Sequence, residues 1–578
     1  MKQKDDKKHL THSGLGRRRF LKSAGIAVTG TGIMAFHPEA LSQHFSDYVS
    51  PFENPFTLGV ASGDCRSRSV ILWTRLAPDP LNGGGMPDED VVVKWIVAKD
   101  PDLQHIVRKG YTIASKEHGH SVHVKVVGLK PDHWYYYRFF IGSYESRIGR
   151  TRTLPKKNKE IDKLSFAFVS CQEYQFGYYT AYKHLANEDI DFVIHLGDYI
   201  YEVGFSNPYL PSVRHHTDEE CVTLEQYRNR YAVYQMDEHL QAARAAFPFF
   251  HVWDDHEIDN DWATDTPEDW DDQTKAAFIK RRSSGSKAFY ENLPLRNVFV
   301  FEDDNDEDDE EEGDSRLYRR IDLGKLVRIS LLDCRRNRSD QPCTIAGPLG
   351  SEAPKANPPC PEDCPERFDE TLMMLGESQE KWLLKNLRKS KSHWNVIASS
   401  VWLSQFVYDK RDPRTGTVLT DSDGEAIKLI NTDCWDGYPV QRQRILDFIE
   451  ENSITNFVVV SGDWHVNGAM DIKQNFNQPD SATLGAEFGG VSISSIGPWA
   501  PIMQADMDKP GNEHVHYVEG DNLRAGKDVH GYVICHVSPD EWRTEFRVVD
   551  SVRKWDDGQI STDATFVVYD GDPGTTRI

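Results

Sequence analysis

The side chains best suited to chemistry lie in short motifs that each follow an apolar, strand-like run. Ser165 to Cys171 ends in a cysteine, and Asp191 to Tyr201 contains Gly197-Asp198-x-x-Tyr201. A thiolate, a carboxylate and a phenolate can converge on one highly charged metal ion. Cysteine and tyrosine have ordinary pKa values of about 8.5 and 10, so both need such an ion to lose their protons near neutral pH. A trivalent ion would achieve this.

Two further motifs offer more ligands of the same kind. They read Trp253-Asp-Asp-His-Glu257 and Ser461-Gly-Asp-Trp-His465, and each also follows an apolar run. Asp198 has two carboxylate oxygens and can bridge two cations. The sequence therefore predicts a metal site that holds more than one ion.

Cys171 has two other interpretations. A lone cysteine is usually a small buried hydrophobic residue, but its position at a strand end beside the Asp198 motif favours a ligand. As a covalent phosphatase nucleophile it would need an arginine shortly after it, and Gln-Glu-Tyr-Gln-Phe-Gly follows instead. No Gly-x-Ser-x-Gly nucleophile motif follows a strand either.

An alternation of strands and helices must position these motifs, which predicts a layered α/β fold. Strands are predicted at Leu164 to Ser170, Phe192 to Leu196, Phe249 to Trp253, Val327 to Leu332, Asn395 to Ser400 and Asn456 to Ser461. Helices are predicted at Thr180 to Asn187, Leu240 to Ala246, Ser378 to Lys389 and Gln441 to Glu451. Four of the strands end in the motifs, and strand ends in such sheets line one edge, where distant motifs meet.

The region before these motifs has a different pattern. Short strands separated by turns predict an all-β domain over residues 50–154. Leu129-Lys-Pro-Asp-His-Trp-Tyr135 resembles the tyrosine corner of fibronectin type III domains, which indicates a small β-sandwich. The polar segment Leu154 to Glu160 then predicts a boundary, with a catalytic domain at 160–550 and a C-terminal tail at 551–578.

Residues 1–40 have the composition of a targeting signal rather than of a folded domain. Arg17-Arg18-x-Phe20-Leu21-Lys22 precedes a weakly apolar segment and resembles a twin-arginine export signal, although a chance basic terminus is the alternative. Export of a folded protein suits a metal that is inserted beforehand. We therefore expect a periplasmic, extracellular or cell-surface location, with the twin-arginine export machinery as a partner. No later stretch has the roughly 18 apolar residues of a membrane span.

The formal net charge of −24 argues against nucleic acid or an anionic membrane as the main partner. We predict no stable nucleic-acid partner and no membrane-spanning partner. Glu302 to Asp314 holds eleven of the acidic residues. A solvated loop is the ordinary interpretation of this run, and a calcium loop is an alternative that lacks EF-hand spacing.

The nine cysteines are an odd number, so at least one has no disulfide partner within the chain. Cys171 is the candidate for that residue. Cys343, Cys360 and Cys364 share a proline-rich segment and can form a disulfide after export, but the sequence does not assign the pairing.

The motif series closely resembles the alkaline phosphatase D (PhoD) family of metallophosphoesterases. Dinuclear metallophosphoesterases have Asp-x-His, Gly-Asp, Gly-Asn-His-Asp/Glu and Gly-His-x-His in order, and purple acid phosphatases add a tyrosine three residues after the bridging aspartate. The likeness extends from Phe56 to about Asp550. It rests on Cys171, Gly197-Asp198-x-x-Tyr201, Val252-Trp-Asp-Asp-His-Glu257, Gly462-Asp-Trp-His465, Leu58-Gly-Val-Ala-Ser-Gly-Asp64 and Trp435-Asp-Gly-Tyr438. It implies a calcineurin-like β-sandwich core with helices.

The resemblance also implies Fe(III) and one or more Ca(II) ions. Iron would be held by Cys171, Tyr201 and His465, with Asp198 as the bridge. Calcium would be held by Asp198, Asp255 and Asp463, which place hard oxygen donors where related enzymes have Asn and His. Asp254 is expected to bind calcium or to orient its neighbours, and Asn260 to complete the coordination or to be an ordinary loop residue.

The implied reaction is attack on phosphorus by a metal-activated hydroxide, without a phosphoenzyme. Asp198 and His256 are the catalytic candidates, with His256 as proton donor or phosphate contact; its alternative is a hydrogen-bonded histidine at a strand end. Arg230 is the substrate-binding candidate, chosen from a group of arginines without a decisive signal. The others are Arg228, Arg281, Arg282, Arg335 and Arg336. Asp333 fits a site role and a structural role equally.

Three functions remain open at this point. The leading one is an exported phosphatase or phosphodiesterase that acts on phosphate mono- or diesters. The second is a phospholipase D-like phosphodiesterase on the same fold. The third is a non-catalytic surface-binding protein, and the complete ligand set argues against it.

Overall fold

A computed structural model describes residues 53–205, 211–217, 219–268, 273–296, 316–343, 359–412, 415–497, 499–522, 526–555 and 558–578. The predicted export signal at 1–40 and the acidic run Glu302 to Asp314 lie outside these residues. Among the helices in the described ranges, none is both long enough and apolar enough to cross a membrane.

Strands dominate the described chain and helices are interspersed among them. The strands are β1 (Val60–Arg66), β2 (Ser69–Arg75), β3 (Val91–Ala98), β4 (Ile106–Ala114), β5 (Ser121–Val127), β6 (Trp134–Ile141), β7 (Tyr144–Glu145), β8 (Gly149–Arg152), β9 (Leu164–Val169), β10 (Phe192–His195), β11 (Pro248–His251), β12 (Arg319–Leu323), β13 (Val327–Leu331), β14 (Pro359–Pro361), β15 (Trp394–Ala398), β16 (Tyr408–Asp409), β17 (Lys428–Asn431), β18 (Phe457–Ser461), β19 (Val466–Lys473), β20 (Thr483–Gly489), β21 (Val515–Gly520), β22 (His530–Val537), β23 (Glu541–Val549), β24 (Ile560–Tyr569) and β25 (Asp572–Arg577). The α-helices are α1 (Thr180–Leu185), α2 (Leu224–Gln235), α3 (Glu238–Ala246), α4 (Lys275–Asn292), α5 (Gly376–Arg388), α6 (Pro439–Glu451) and α7 (Trp499–Asp506). Short 3-10 helices lie at Lys116–His118, Pro365–Phe368 and Trp435–Gly437.

Two large sheets form the centre of the molecule. Within the described residues, the first has the order β25-β24-β23-β22-β9-β10-β11-β1-β2-β5 and the second the order β12-β13-β15-β18-β20-β19-β21. Their inner faces share one core, to which Phe166 and Phe168 contribute from one sheet and Val396 and Val458 from the other. Helices cover the outer faces, which is the layered α/β fold predicted from the sequence.

The register of the parallel strands explains how separate motifs meet. In the first sheet, Val169 of β9 lies beside His195 of β10, which lies beside His251 of β11. In the second sheet, Leu331, Ala398 and Val460 lie side by side in β13, β15 and β18. The strands of each group therefore end level, and the residues that follow them share one edge.

The N-terminal region is all-β, as predicted. Its tyrosine corner is present, because the Tyr135 hydroxyl accepts a hydrogen bond from the Lys130 N–H at 2.9 Å. Strands β4-β3-β6-β7, with β8 on β6, form a separate sheet. Strands β1, β2 and β5 instead continue the first large sheet, since β1 pairs in parallel with β11 through Ser62 and Pro248. The two regions thus share a sheet.

The structure differs from the sequence interpretation at 551–578. This segment was expected to be a tail, but β24 and β25 extend the edge of the first sheet. Ala564, Phe566 and Val568 alternate along β24 and are buried in the shared core, so their apolar surface accounts for the pairing.

A disulfide joins Cys343 to Cys364, two of the three cysteines in the proline-rich segment. Cys360 and Cys171 are free and buried.

Candidate metal centre

The predicted ligands lie in tight loops directly after the level strand ends. Four of them have left-handed backbone conformations that non-glycine residues rarely adopt: φ is 57° at Cys171, 55° at Asp198, 71° at Asp463 and 56° at His465. Such conformations cost of order 1 kcal/mol or more each and persist only where the surroundings enforce them. Their concentration at one edge marks a functional site.

The loops after β9, β10 and β11 are packed directly on one another. The Cys171 N–H donates to the Gly197 carbonyl at 3.1 Å. Gly197 has a φ of 115°, and a Cβ on it would lie 2.5 Å from the Cβ of Asp254. Gly462 is equally constrained, because its Cβ would lie 2.7 Å from the Ser170 hydroxyl. The glycines of both motifs therefore permit the approach of the ligand loops.

One group of ligands surrounds the thiol. The ligand atoms of Cys171, Asp198 and His465 all lie within 4.8 Å of one another. The Tyr201 hydroxyl lies 3.0 Å from Asp198 Oδ2 and 3.2 Å from His465 Nε2. His465 Nδ1 lies 2.8 Å from the Ile496 carbonyl, which fixes the proton on Nδ1 and leaves Nε2 as the ligand.

A second group shares Asp198 with the first. The ligand atoms of Asp198, Asp255 and His256 also lie within 4.8 Å of one another. Asp198 Oδ1 and Asp254 Oδ2 are buried and have no hydrogen-bond partner within the described part of the chain. Buried carboxylate oxygens without partners are costly, and cations would satisfy them.

The shifted pKa values of the ligands also favour bound cations. Burial, together with the neighbouring carboxylates, raises the pKa of Asp198 and of Asp463 well above the ordinary value. Burial also raises the pKa of Asp254 to about 6. Burial and nearby Asp198 raise the pKa of Cys171 and of Tyr201, so neither ionises without a cation. These donors fit a centre of two metal ions.

His256 is oriented at the edge of the second group. Its ring Nδ1 lies 2.7 Å from Glu202 Oε2, and its main-chain N–H donates to Asp255 Oδ1 at 2.9 Å. Burial disfavours a charged imidazole, but the carboxylates of Glu202, Asp255 and Asp198 outweigh burial and raise the pKa of His256 well above its ordinary value. Glu202 therefore fixes the orientation of the imidazole through Nδ1.

Arg335 is the arginine that reaches the cluster. It is fully buried, and its Nε donates to Asp254 Oδ1 at 2.6 Å. Its other two nitrogens donate to the oxygens of Asp433, each at 2.8 Å, and one lies 3.4 Å from Asp255 Oδ2. It fixes the aspartates of one motif against Asp433, a residue that the sequence did not single out.

Glu257 ties two ligand loops together. Its carboxylate accepts N–H bonds from Asp198 at 3.2 Å, Tyr199 at 2.7 Å and Asp254 at 2.8 Å. Burial raises its pKa to about 8. The sequence placed Glu257 inside the motif without giving it this role.

The loop at 492–496 contacts Tyr201 and His465 of the first group, and the sequence did not predict these contacts. The Ser495 hydroxyl donates to the Tyr201 hydroxyl at 2.8 Å, next to the Ile496 carbonyl that fixes His465. Ser492 Oγ lies 3.0 Å from Nδ1 of buried His530. Only spatial proximity reveals these serines, since they belong to no motif.

The substrate-binding candidate Arg230 has a different position from the one expected. It is buried, and it donates to the Tyr201 carbonyl and, at 2.9 Å, to the Thr217 carbonyl. Because main-chain oxygens occupy its guanidinium, Arg230 braces the Tyr201 loop rather than facing a phosphate.

Other candidates have structural partners. Arg228 pairs with Glu291, Arg281 with Asp259 and Glu220, and Arg282 with Asp265. Asn260 donates to Glu268 through its amide at 2.6 Å. Asp333 accepts hydrogen bonds from the Trp253 indole at 2.8 Å and from the main-chain N–H groups of Arg335 and Arg336. These contacts give it a structural role.

Comparison with known proteins agrees with the motif series. The PhoD-like phosphatase family matches residues 166–546, and its N-terminal domain matches residues 43–155. The chain is 40% identical to alkaline phosphatase D of Bacillus subtilis (strain 168) over 586 aligned positions, which cover all of this chain and 91% of the relative. It also matches a solved structure described as the structure of PhoD, with 39% identity, a TM-score of 0.78 and coverage of 92% of this chain and 93% of that one.

Proposed function

Since the chain belongs to the PhoD-like phosphatase family and is a phosphoester hydrolase, we propose that it is an exported enzyme that hydrolyses phosphate mono- and diesters with an Fe(III) and Ca(II) centre. One observation carries the metal dependence. The ligand atoms of Asp198 lie within 4.8 Å of those of Cys171 and His465 in one group and of those of Asp255 and His256 in the other, which is the arrangement that a bridging carboxylate requires.

The two groups differ in the kind of ion they suit. Cys171, Tyr201 and His465 combine a soft thiol, a phenol and an imidazole, which suits a ferric ion. We assign calcium to Asp198, Asp255 and Asp463, which offer only carboxylate oxygens, and we assign His256 of the second group to proton transfer. Asp254 can add Oδ2, because Arg335 binds only Oδ1. When bound, such a pair supplies positive charge to the phosphoryl oxygens and lowers the pKa of a nearby water molecule.

The protein's own contribution is orientation and proton transfer. Glu202 holds His256 through Nδ1, so Nε2 is the nitrogen that gives a proton to the departing alkoxide. Burial raises the pKa of Cys171, which argues against a thiolate nucleophile and a phosphoenzyme. Arg335 and Glu257 keep the carboxylates in place through the reaction without contacting substrate.

A steady-state assay tests the activity and its alternative. Purified protein without residues 1–40 would be given matched nitrophenyl phosphate monoesters and diesters, with calcium or with EGTA. We expect turnover that EGTA abolishes. Monoester turnover well above diester turnover supports a phosphomonoesterase, and the reverse supports a phosphodiesterase or the phospholipase D-like alternative. Absence of turnover in iron- and calcium-loaded protein would contradict the proposal.

Export rests on the twin-arginine motif and on the buried centre, which suits assembly before transport. Replacing both Arg17 and Arg18 with lysine should retain active enzyme in the cytoplasm, with Lys22→Ala as a milder control. Unchanged activity outside the cytoplasm in the double variant would contradict this route.

A further inference from the structure

A cavity lies apart from the candidate metal centre, at the junction of the N-terminal region and the first large sheet. It has a volume of about 540 Å³. The end of β1, the segment after β8, β12 and Trp382 of α5 contribute to its walls. None of the described residues that line it belongs to the candidate metal centre.

The described residues that line this cavity are mostly basic. Its described lining residues include six cations and two acids: Arg66, Lys157, Arg296, Arg316, Arg319 and Arg320 against Asp64 and Asp322. Such an excess is the opposite of the whole chain, whose net charge is −24. A basic cavity in an acidic protein indicates a local anion partner.

The two acids already have partners. Asp64 Oδ1 accepts from Arg319 Nε at 2.7 Å. Asp322 accepts from Arg320 Nε at 3.0 Å. Asp64 also accepts the main-chain N–H of Arg296 at 2.8 Å and attracts the charge of that arginine, but within the described residues no hydrogen bond joins the Asp64 carboxylate to the Arg296 guanidinium.

Arg296 is the lining arginine that is best placed to bind an external anion. Its Nε and one terminal nitrogen are buried and have no hydrogen-bond partner in the described part of the chain, while the other terminal nitrogen donates to the Asp64 carbonyl. Burial and the nearby charge of Arg66 lower the pKa of Arg296. Arg66 itself is exposed at the end of β1. Unsatisfied guanidinium donors favour an oxyanion, which can accept several of their hydrogen bonds at once.

We propose that this cavity is an anion-binding site that holds a phosphate-type oxyanion between Arg66 and Arg296. The ligand is free phosphate or a phosphate group on a longer chain. The site is additional to the catalytic centre, and the proposal does not depend on the metals or on turnover.

Equilibrium dialysis of the metal-loaded enzyme against radiolabelled inorganic phosphate tests the proposal. We expect two equivalents of bound phosphate, one at the catalytic centre and one in the cavity. Arg66→Gln should weaken the second site roughly tenfold or more, and Arg66→Gln with Arg296→Gln should abolish it. Arg68→Gln is the matched control, since Arg68 is an exposed arginine two residues from Arg66 and does not line the cavity. Arg66→Gln and the control should keep wild-type kcat/KM for a nitrophenyl ester.

The same number of bound equivalents in the wild type and in the double variant would overturn the proposal, whatever the occupancy of the catalytic centre. The acidic run Glu302 to Asp314 lies between Arg296 and Arg316 in sequence and is a competing anion. If a second equivalent binds only after the run is changed to Asn and Gln, the cavity does not bind an external anion and the proposal fails. Tripolyphosphate distinguishes the sources: arginine-dependent binding much tighter than that of phosphate indicates a phosphate chain, and equal binding indicates free phosphate.

Discussion

Two neighbouring strands of one sheet end in opposite chemistry. Strands β11 and β1 run in parallel, yet β11 leads into the aspartates of the metal centre and β1 ends at the arginines of the basic cavity. In both places buried atoms of charged side chains have no hydrogen-bond partner within the described residues. The sheet therefore supplies only an edge, and the residues of the loops determine whether that edge binds cations or anions.

The largest expected effect is loss of the shared ligand. Asp198→Asn should lower kcat/KM by at least about a thousandfold, about 4 kcal/mol, because both metals lose their common carboxylate. Metal content measured by mass spectrometry should fall with activity. Arg66→Gln, at the other strand end, should leave both values unchanged. Near-normal metal content and activity in Asp198→Asn would contradict the bridging role.

Removing one arginine from each region should affect stability differently. Arg335→Met should lower the free energy of unfolding by about 3 kcal/mol or more, because buried Asp254 loses its arginine partner and Asp433 keeps only Arg338 and Gln341. Arg296→Met should change the free energy of unfolding much less, because it removes one hydrogen bond to the Asp64 carbonyl together with two nitrogens that have no acceptor among the described residues. Urea unfolding of both variants measures this difference. Equal destabilisation would mean that Arg296 has a partner as strong as that of Arg335.

The role of His256 depends on the leaving group. His256→Asn should lower kcat about a hundredfold on an alkyl phosphate, whose alkoxide needs a proton, and much less on a nitrophenyl ester. Steady-state kinetics on the two esters tests this. An equal loss on both would indicate a contact to phosphate instead.

The last prediction is a pH dependence to which Glu257 of the metal centre contributes. Glu257 has a raised folded pKa of about 8, so it stabilises the fold while protonated and loses that contribution as pH rises through about 8. Metal-free protein should therefore melt a few degrees lower at pH 8.5 than at pH 6. Loading with iron and calcium should reduce the difference, as measured by calorimetry. A metal-free melting temperature that rises over this range would contradict the assigned burial effect.

The sequence predicted what local pattern determines. Strand ends at Cys171 and Asp198 follow from apolar runs that stop at polar motifs, and the layered fold follows from alternating strands and helices. It did not predict contacts made by distant segments. Asp433 meets Arg335, and Ser495 meets Tyr201, across 98 and 294 positions of chain. The contacts of Arg230 were not predicted for the same reason, because the residues next to it in sequence do not reveal that main-chain oxygens accept its hydrogen bonds.

The pairing of β1 with β11, and of β9 with β22, has a consequence for how the chain is made. One edge of β1 has no partner until residue 248 has been synthesised, and one edge of β9 waits for residue 533. Such distant pairings slow folding and leave strand edges open to aggregation. The central sheet is therefore completed only when nearly the whole chain exists, so the N-terminal region cannot finish folding alone ahead of the rest.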